Sequence, residues 1–296
     1  MIYPAHDAYV APARAHPQIW RLVLGFLLAC AISTLWVIGL FVLVYLVAGI
    51  EGGPAWINRM TMADTPTSAL LVIGTLWGLA LGAMAATRAL HRRSVWTLFG
   101  RLRRLRRGFF IAALACGVAL ALSSLIPFGY TPVANLGLGL WLNFLPLALV
   151  VILGQTLAEE LFFRGYLQQQ LAARFHSPLV WMLVPSALFG LAHFDPSNGP
   201  LLSWLTVAAT GLFGLCAADL TARTGSIGAA WGFHFANNVA AILVVALSGS
   251  LSGLALYTTP FGPAEAGILA PLLARDMATT VVIWGVIRFI LSRNAR

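Results

Sequence analysis

Eight stretches of this chain are apolar enough to enter a lipid bilayer, and most are long enough to cross it. They cover roughly residues 20–48, 67–88, 109–127, 141–163, 178–194, 201–220, 227–248 and 277–292. A span needs about 20 mainly apolar residues. The fifth stretch is short, and Arg288 interrupts the eighth. Backbone in lipid must satisfy its own hydrogen bonds, so only helices and closed barrels can cross. These runs lack the in–out alternation of barrel strands. The expected fold is therefore all-α, a polytopic transmembrane helical bundle of about eight spans.

Composition agrees. The chain is 60% hydrophobic and only 9% charged, where a soluble domain carries about 25% charged residues. Breakers fall between the apolar runs, at Gly52-Gly53-Pro54, Pro127, Pro196, Gly225 and Pro260. No polar linker divides the chain, so residues 1–296 read as one integral membrane domain. The N-terminal segment MIYPAHDAYVAPARAHPQ lacks the charged start and cleavage site of a signal peptide.

The net charge is +9 and every basic residue is arginine. The densest group, Arg88 to Arg107, lies between two apolar runs. That position reads as a cytoplasmic loop against anionic headgroups and gives no reason to expect nucleic acid. On eight spans, Arg164, Arg174, Arg223, Arg288, Arg293 and Arg296 join that side. Glu51, Arg59, Asp64, Asp195, Glu265, Arg275 and Asp276 fall on the other. Both termini are thus expected in the cytoplasm. Exclusive use of arginine suggests a GC-rich bacterial source and hence the inner (plasma) membrane. Cys30, Cys116 and Cys216 are isolated within apolar runs, with neither disulfide nor metal-knuckle spacing.

Chemistry is suggested by ionisable residues inside those runs, which are expensive there and point to function. Glu159 and Glu160 are adjacent. Glu160 and Arg164 share a helical face and can pair; Glu159 shares its face with Gln155. His193 lies in ALFGLAHF, while His234 and Asn238 share a face of the seventh run. If the fourth helix continues to about Phe175, Glu159 lies about 24 Å back from its end. His193 lies about 22 Å along a return helix starting near Pro178, at similar depth. A carboxylate with a histidine can hold and deprotonate water, and a second imidazole with an amide can stabilise an oxyanion. Glu159, His193 and His234 could instead be three ligands of a catalytic zinc. The plainer alternatives are a helix-stabilising Glu160–Arg164 pair and core histidines satisfied by neighbours. Asp219 and Arg223 read as a capping ion pair, and Ser226 as a helix N-cap. No Gly-Xaa-Ser-Xaa-Gly elbow, Walker loop or HEXXH motif occurs.

Three motifs in order resemble the CAAX-processing and bacteriocin-processing (CPBP, or Abi) family of intramembrane proteases. EExxxR is Glu159-Glu160-Leu-Phe-Phe-Arg164, FxxxH is Phe189 to His193, and HxxxN is His234 to Asn238. RGYLQQQL and RTGSIGAAWGFHFANN add to the likeness, which covers roughly 141–248 and spans four to seven. Residues 1–140 carry no motif and no assigned role. The resemblance implies an endopeptidase acting on a membrane protein or lipidated peptide. It implies Glu159 as the activating carboxylate and His193 as a holder of the water. His234 and Asn238 become oxyanion donors, supported by Glu160 and Arg164. Zinc has been considered for such sites, as has a metal-free glutamate mechanism. Two other functions stay open at this point: a non-catalytic membrane scaffold or bacteriocin-immunity-type binder, and a proton-coupled transporter.

Overall fold

The computed structural model describes residues 3–127 and 129–293. Arg296, counted above with the basic-side arginines, lies outside the described residues. All eight apolar runs contain helix. A short amphipathic α1 (Pro4–Val10) precedes α2 (Ile19–Met62). Within α2, Gly49 adopts φ 74° and ψ 173°, a conformation that excludes a Cβ-bearing residue and breaks the helix where the first apolar run ends. Next come α3 (Pro66–Thr75), opened by a reciprocal Thr65–Ser68 capping box, and α4 (Trp77–Ala89). Then follow α5 (Leu102–Ser123), α6 (Leu138–Glu160), α7 (Gln169–Arg174), α8 (Pro178–Leu191), α9 (Gly199–Thr224), α10 (Gly228–Val239) and α11 (Ala266–Arg293).

The expected count of eight spans is not confirmed. Among the described residues, six helical segments are long and apolar enough to cross a membrane, including a 37-residue segment from Leu138 to Arg174. The fifth and seventh runs fall short: α8 has 14 residues and α10 has 12. Hydropathy cannot see where an apolar helix stops. After α8 the chain turns into Asp195-Pro196, and after α10 a π turn (Ala240–Val244) leads into β2 (Val245–Ala246). Strand β3 (Tyr257–Thr258) pairs parallel with β2 and antiparallel with β1 (Val133–Ala134). This small sheet, order β1-β3-β2, was not expected from the sequence. It satisfies apolar backbone that is no longer helical: Leu256 N–H donates to Leu243 O and Thr259 N–H to Ala246 O. Non-helical chain at membrane depth is tolerated only with such partners.

Small residues bring the central helices together. A Cβ on Gly228 would stand 2.1 Å from Leu105 O, and one on Gly232 would stand 2.1 Å from Phe109 O. Helices α5 and α10 therefore touch backbone to backbone, the usual device where lipid removes any hydrophobic drive. Around them lies a core containing Leu161, Phe162, Tyr166, Phe213, Leu220 and Phe233. The outer surface is apolar: Val47 and Ile50 of α2 are 81% and 82% exposed. In water that surface would be a large penalty, whereas in lipid it costs nothing.

Candidate active site

Glu159 and Glu160 end α6, and the helix continues as a π-helical run, Leu161 to Gln168, before α7. Every residue from Ala158 to Leu171 is buried, so this helix is surrounded on all sides. Wide π turns re-aim side chains and recur at functional sites. Here the run places Arg164 Nη1 3.1 Å from Glu160 Oε1 with both side chains almost fully enclosed. The Arg164 guanidinium also lies 4.7 Å over the Phe189 ring and donates to Gly214 O at 3.4 Å.

His234 of α10 faces both acids. Its Nδ1 is 2.9 Å from Glu160 Oε1 and its Nε2 is 3.5 Å from Glu159 Oε2. An ionised carboxylate only accepts, so Glu160 fixes a proton on Nδ1 and turns Nε2 toward Glu159. Glu159 Oε2 has no hydrogen-bond partner among the described residues. Its other oxygen, Oε1, accepts from Gln155 Nε2 at 2.8 Å, and Gln155 Oε1 accepts from Asn238 Nδ2 at 2.9 Å. The rings of Phe213 and Phe189 close the apolar wall, 5.1 Å and 5.9 Å from the His234 ring. A relay thus runs from Gly214 O through Arg164, Glu160 and His234 to Glu159, then through Gln155 to Asn238.

Six residues singled out from the sequence can now be located. Glu159, Glu160, Arg164, His234 and Asn238 converge, Asn238 through Gln155. His193 does not join them. It sits in a turn just past α8, exposed, with Nδ1 2.8 Å from Phe189 O, and the Phe189 ring packs against both it and His234. The depth estimate for His193 assumed a helix extending through it, but α8 stops at Leu191. Gln155 is the residue whose part was missed, although its spacing of four from Glu159 was the available signal. The Asp219–Arg223 pair forms at 3.1 Å, and Tyr3, Trp284 and Arg288 also face that carboxylate. Ser226 is not the N-cap of α10; that position is Ile227, which has no side-chain cap bond, and Ser226 Oγ accepts from Gly228 N–H at 3.1 Å from one residue earlier.

The residues do not fit zinc as arranged. Among the described residues no three His, Cys, Asp or Glu side chains converge on a possible ion position. His193 Nδ1 is bonded to Phe189 O, and His234 Nδ1 is committed to Glu160. No step below is routed through a metal.

Long apolar helices around a buried carboxylate–imidazole centre suggest an integral membrane protein. Residues 140–240 match the family model described as Type II CAAX prenyl endopeptidase Rce1-like, and they form an Rce1-like (CPBP/Abi) family domain. That match contains every site residue above. The chain is also 27% identical over 260 residues to the uncharacterized protein YyaK of Bacillus subtilis (strain 168), covering 83% of this chain and 85% of that one. No solved structure matches it.

Proposed function

We propose that the protein is an intramembrane endopeptidase that hydrolyses a peptide bond of a membrane-anchored protein or lipidated peptide. The observation that carries this reading is the position of His234, bonded through Nδ1 to Glu160 and facing Glu159 Oε2 with Nε2. A water bridging Glu159 Oε2 and His234 Nε2 is held by two groups on an enclosed surface. Glu159 removes one proton as the oxygen attacks the scissile carbonyl. It then gives that proton to the departing amine, so the carboxylate base is regenerated in each cycle. Glu160, itself charge-balanced by Arg164, keeps His234 in one tautomer and orientation, as the aspartate does in a catalytic triad. Gln155 fixes the Glu159 carboxylate and links it to Asn238, whose amide has a second N–H for the developing oxyanion.

His193 is assigned to the substrate side. Its exposure just past α8, in contrast to the buried Glu159 and His234, suits contact with the substrate carbonyl or flanking backbone. Family membership implies protein substrates. A site among short helices, reached across an apolar surface, favours substrates already confined to the bilayer. The arginine-rich side is taken as cytoplasmic, which would put both termini there.

The test is Glu159→Gln, which keeps size and the Gln155 contact but loses the base. Cleavage of an internally quenched, lipid-anchored peptide in proteoliposomes should fall at least about hundredfold, with unchanged unfolding temperature. Undiminished cleavage by the folded variant refutes the mechanism. Solute flux without any cleavage would move the chain to the transporter class.

A further inference from the structure

Away from this site, at the basic end of the bundle, the ends of α1, α5, α9 and α11 surround a cavity of about 730 Å³. Its lining includes Arg101, Arg103, Arg104, Arg107, Arg223 and Arg288, and no Asp or Glu among the described residues. None of its lining residues belongs to the Glu159–His234 relay. The nearby carboxylate, Asp219, is engaged by Arg223 at 3.1 Å, lies 3.8 Å from Arg288, and accepts from Tyr3 and Trp284. Asp219 is thus already engaged by Arg223 and Arg288, and it forms no ion pair with Arg101, Arg103 or Arg104.

Arg101, Arg103 and Arg104 come from the start of α5, are exposed, and form no ion pair among the described residues. Arg104 reaches Thr224 O at 3.4 Å, which orients it across the cavity toward α9. Helix α5 is 22 residues long, begins here, and has neither a side-chain N-cap bond nor an acidic residue in its first turn. Its leading amides and positive dipole end add to the charge of the guanidiniums. The positive-inside tendency explains arginines at this end of the molecule. It does not explain their gathering around one concavity, where mutual repulsion opposes them. A volume of this order suits a small ligand, and Leu220 and Leu291 give the cavity an apolar wall.

We propose that this cavity binds a phosphate-bearing anion through Arg101, Arg103 and Arg104, whose planar donors match phosphate oxygens bidentately. The phosphate is supplied either by an anionic phospholipid headgroup or by a free phosphate compound. The two sources are separated by the probe.

Binding of dioctanoyl phosphatidylglycerol and of inorganic pyrophosphate is measured on the detergent-solubilised full chain. The variant is R101Q/R103Q/R104Q, and the control is R88Q/R92Q/R106Q, which removes the same charge from exposed positions outside the cavity. The cavity variant should bind at least about tenfold more weakly and the control less than about threefold. On the wild-type chain, either probe should protect Arg101, Arg103 and Arg104 from phenylglyoxal relative to Arg88 and Arg92, a readout that needs no variant. Binding and protection by the lipid alone assign the cavity to a headgroup; the same effects with pyrophosphate assign it to a free phosphate compound. Equal weakening in both triple variants, or no protection by either probe, overturns the proposal.

Discussion

Replacing Glu160 and Arg164, singly and together, tests whether they act as one buried unit. Both side chains are almost fully enclosed and 3.1 Å apart. Glu160→Met strands the Arg164 guanidinium among Gly214 O and the Phe189 and Phe163 rings, and removes the acceptor of His234 Nδ1. Stranding a buried charge costs about 3–5 kcal/mol. Arg164→Met leaves Glu160 with His234 alone and should cost a similar amount. Independent effects would make the double variant about 6–10 kcal/mol less stable. A coupled pair replaced by two methionines of comparable length should instead lose only about 1–3 kcal/mol, chiefly the unpaired imidazole N–H. Equilibrium unfolding in mixed micelles reads these differences. Activity should separate from stability: the double variant recovers its fold but cleaves at least about tenfold more slowly, because His234 no longer has an orienting acceptor. An additive double variant, or one restored in cleavage, refutes the argued role of Glu160.

Gln155→Leu should leave Glu159 Oε1 and Asn238 without their shared partner, lowering kcat more than it raises KM; a pure KM effect in steady-state kinetics contradicts this. Gly232→Ala puts a Cβ 2.1 Å from Phe109 O, so α5 and α10 must separate, with a stability loss of about 1–3 kcal/mol and displaced His234; wild-type melting and turnover would disprove that close contact. Burial beside Trp181, with Arg14 nearby, pushes His6 down to about 4. The unfolded chain, titrating near 6.5, then binds more protons than the folded one between those values. Stability is full above about pH 6.5 and declines toward pH 4, by about 3 kcal/mol at most. Hydrogen exchange of residues 4–15 should rise over that window, and His6→Phe should abolish the rise; an unchanged profile in the variant counts against burial as the cause.

How much of this was legible without coordinates depended on whether the information was local. Helix type came from composition, because apolar runs in lipid have few alternatives. The Glu160–Arg164 and Gln155–Glu159 pairs follow from spacing of four, and even the extension of the fourth helix to Arg174 follows from the breaker at Ser177-Pro178. The failures were all at ends. Arg101 to Arg107 read as a loop because charge was taken as a boundary, yet α5 begins at Leu102 with its arginines reaching outward from helical backbone. Residues 240–246 are as apolar as the helix before them, yet a π turn ends it at Val244 and pairing with Tyr257–Thr258, distant in sequence, makes Val245–Ala246 a strand.

The short helices bear most directly on the chemistry. Helix α10 is too short to span, and α8 ends before His193, so the residues matching HxxxN and FxxxH stand near helix ends that the flanking chain must support. Support for α10 comes from Gly228 and Gly232 against α5 and from the π turn and sheet beyond Val239. Support for α6 comes from the buried run through Leu171. Two helices fixed so differently meet through one imidazole between adjacent carboxylates. A sub-ångström shift of either would change the 3.5 Å separation of His234 Nε2 and Glu159 Oε2, the distance a bridging water must span. Rigid backbone contact on α10 and full enclosure of the π run therefore belong to the catalytic argument as much as the ionisable residues do.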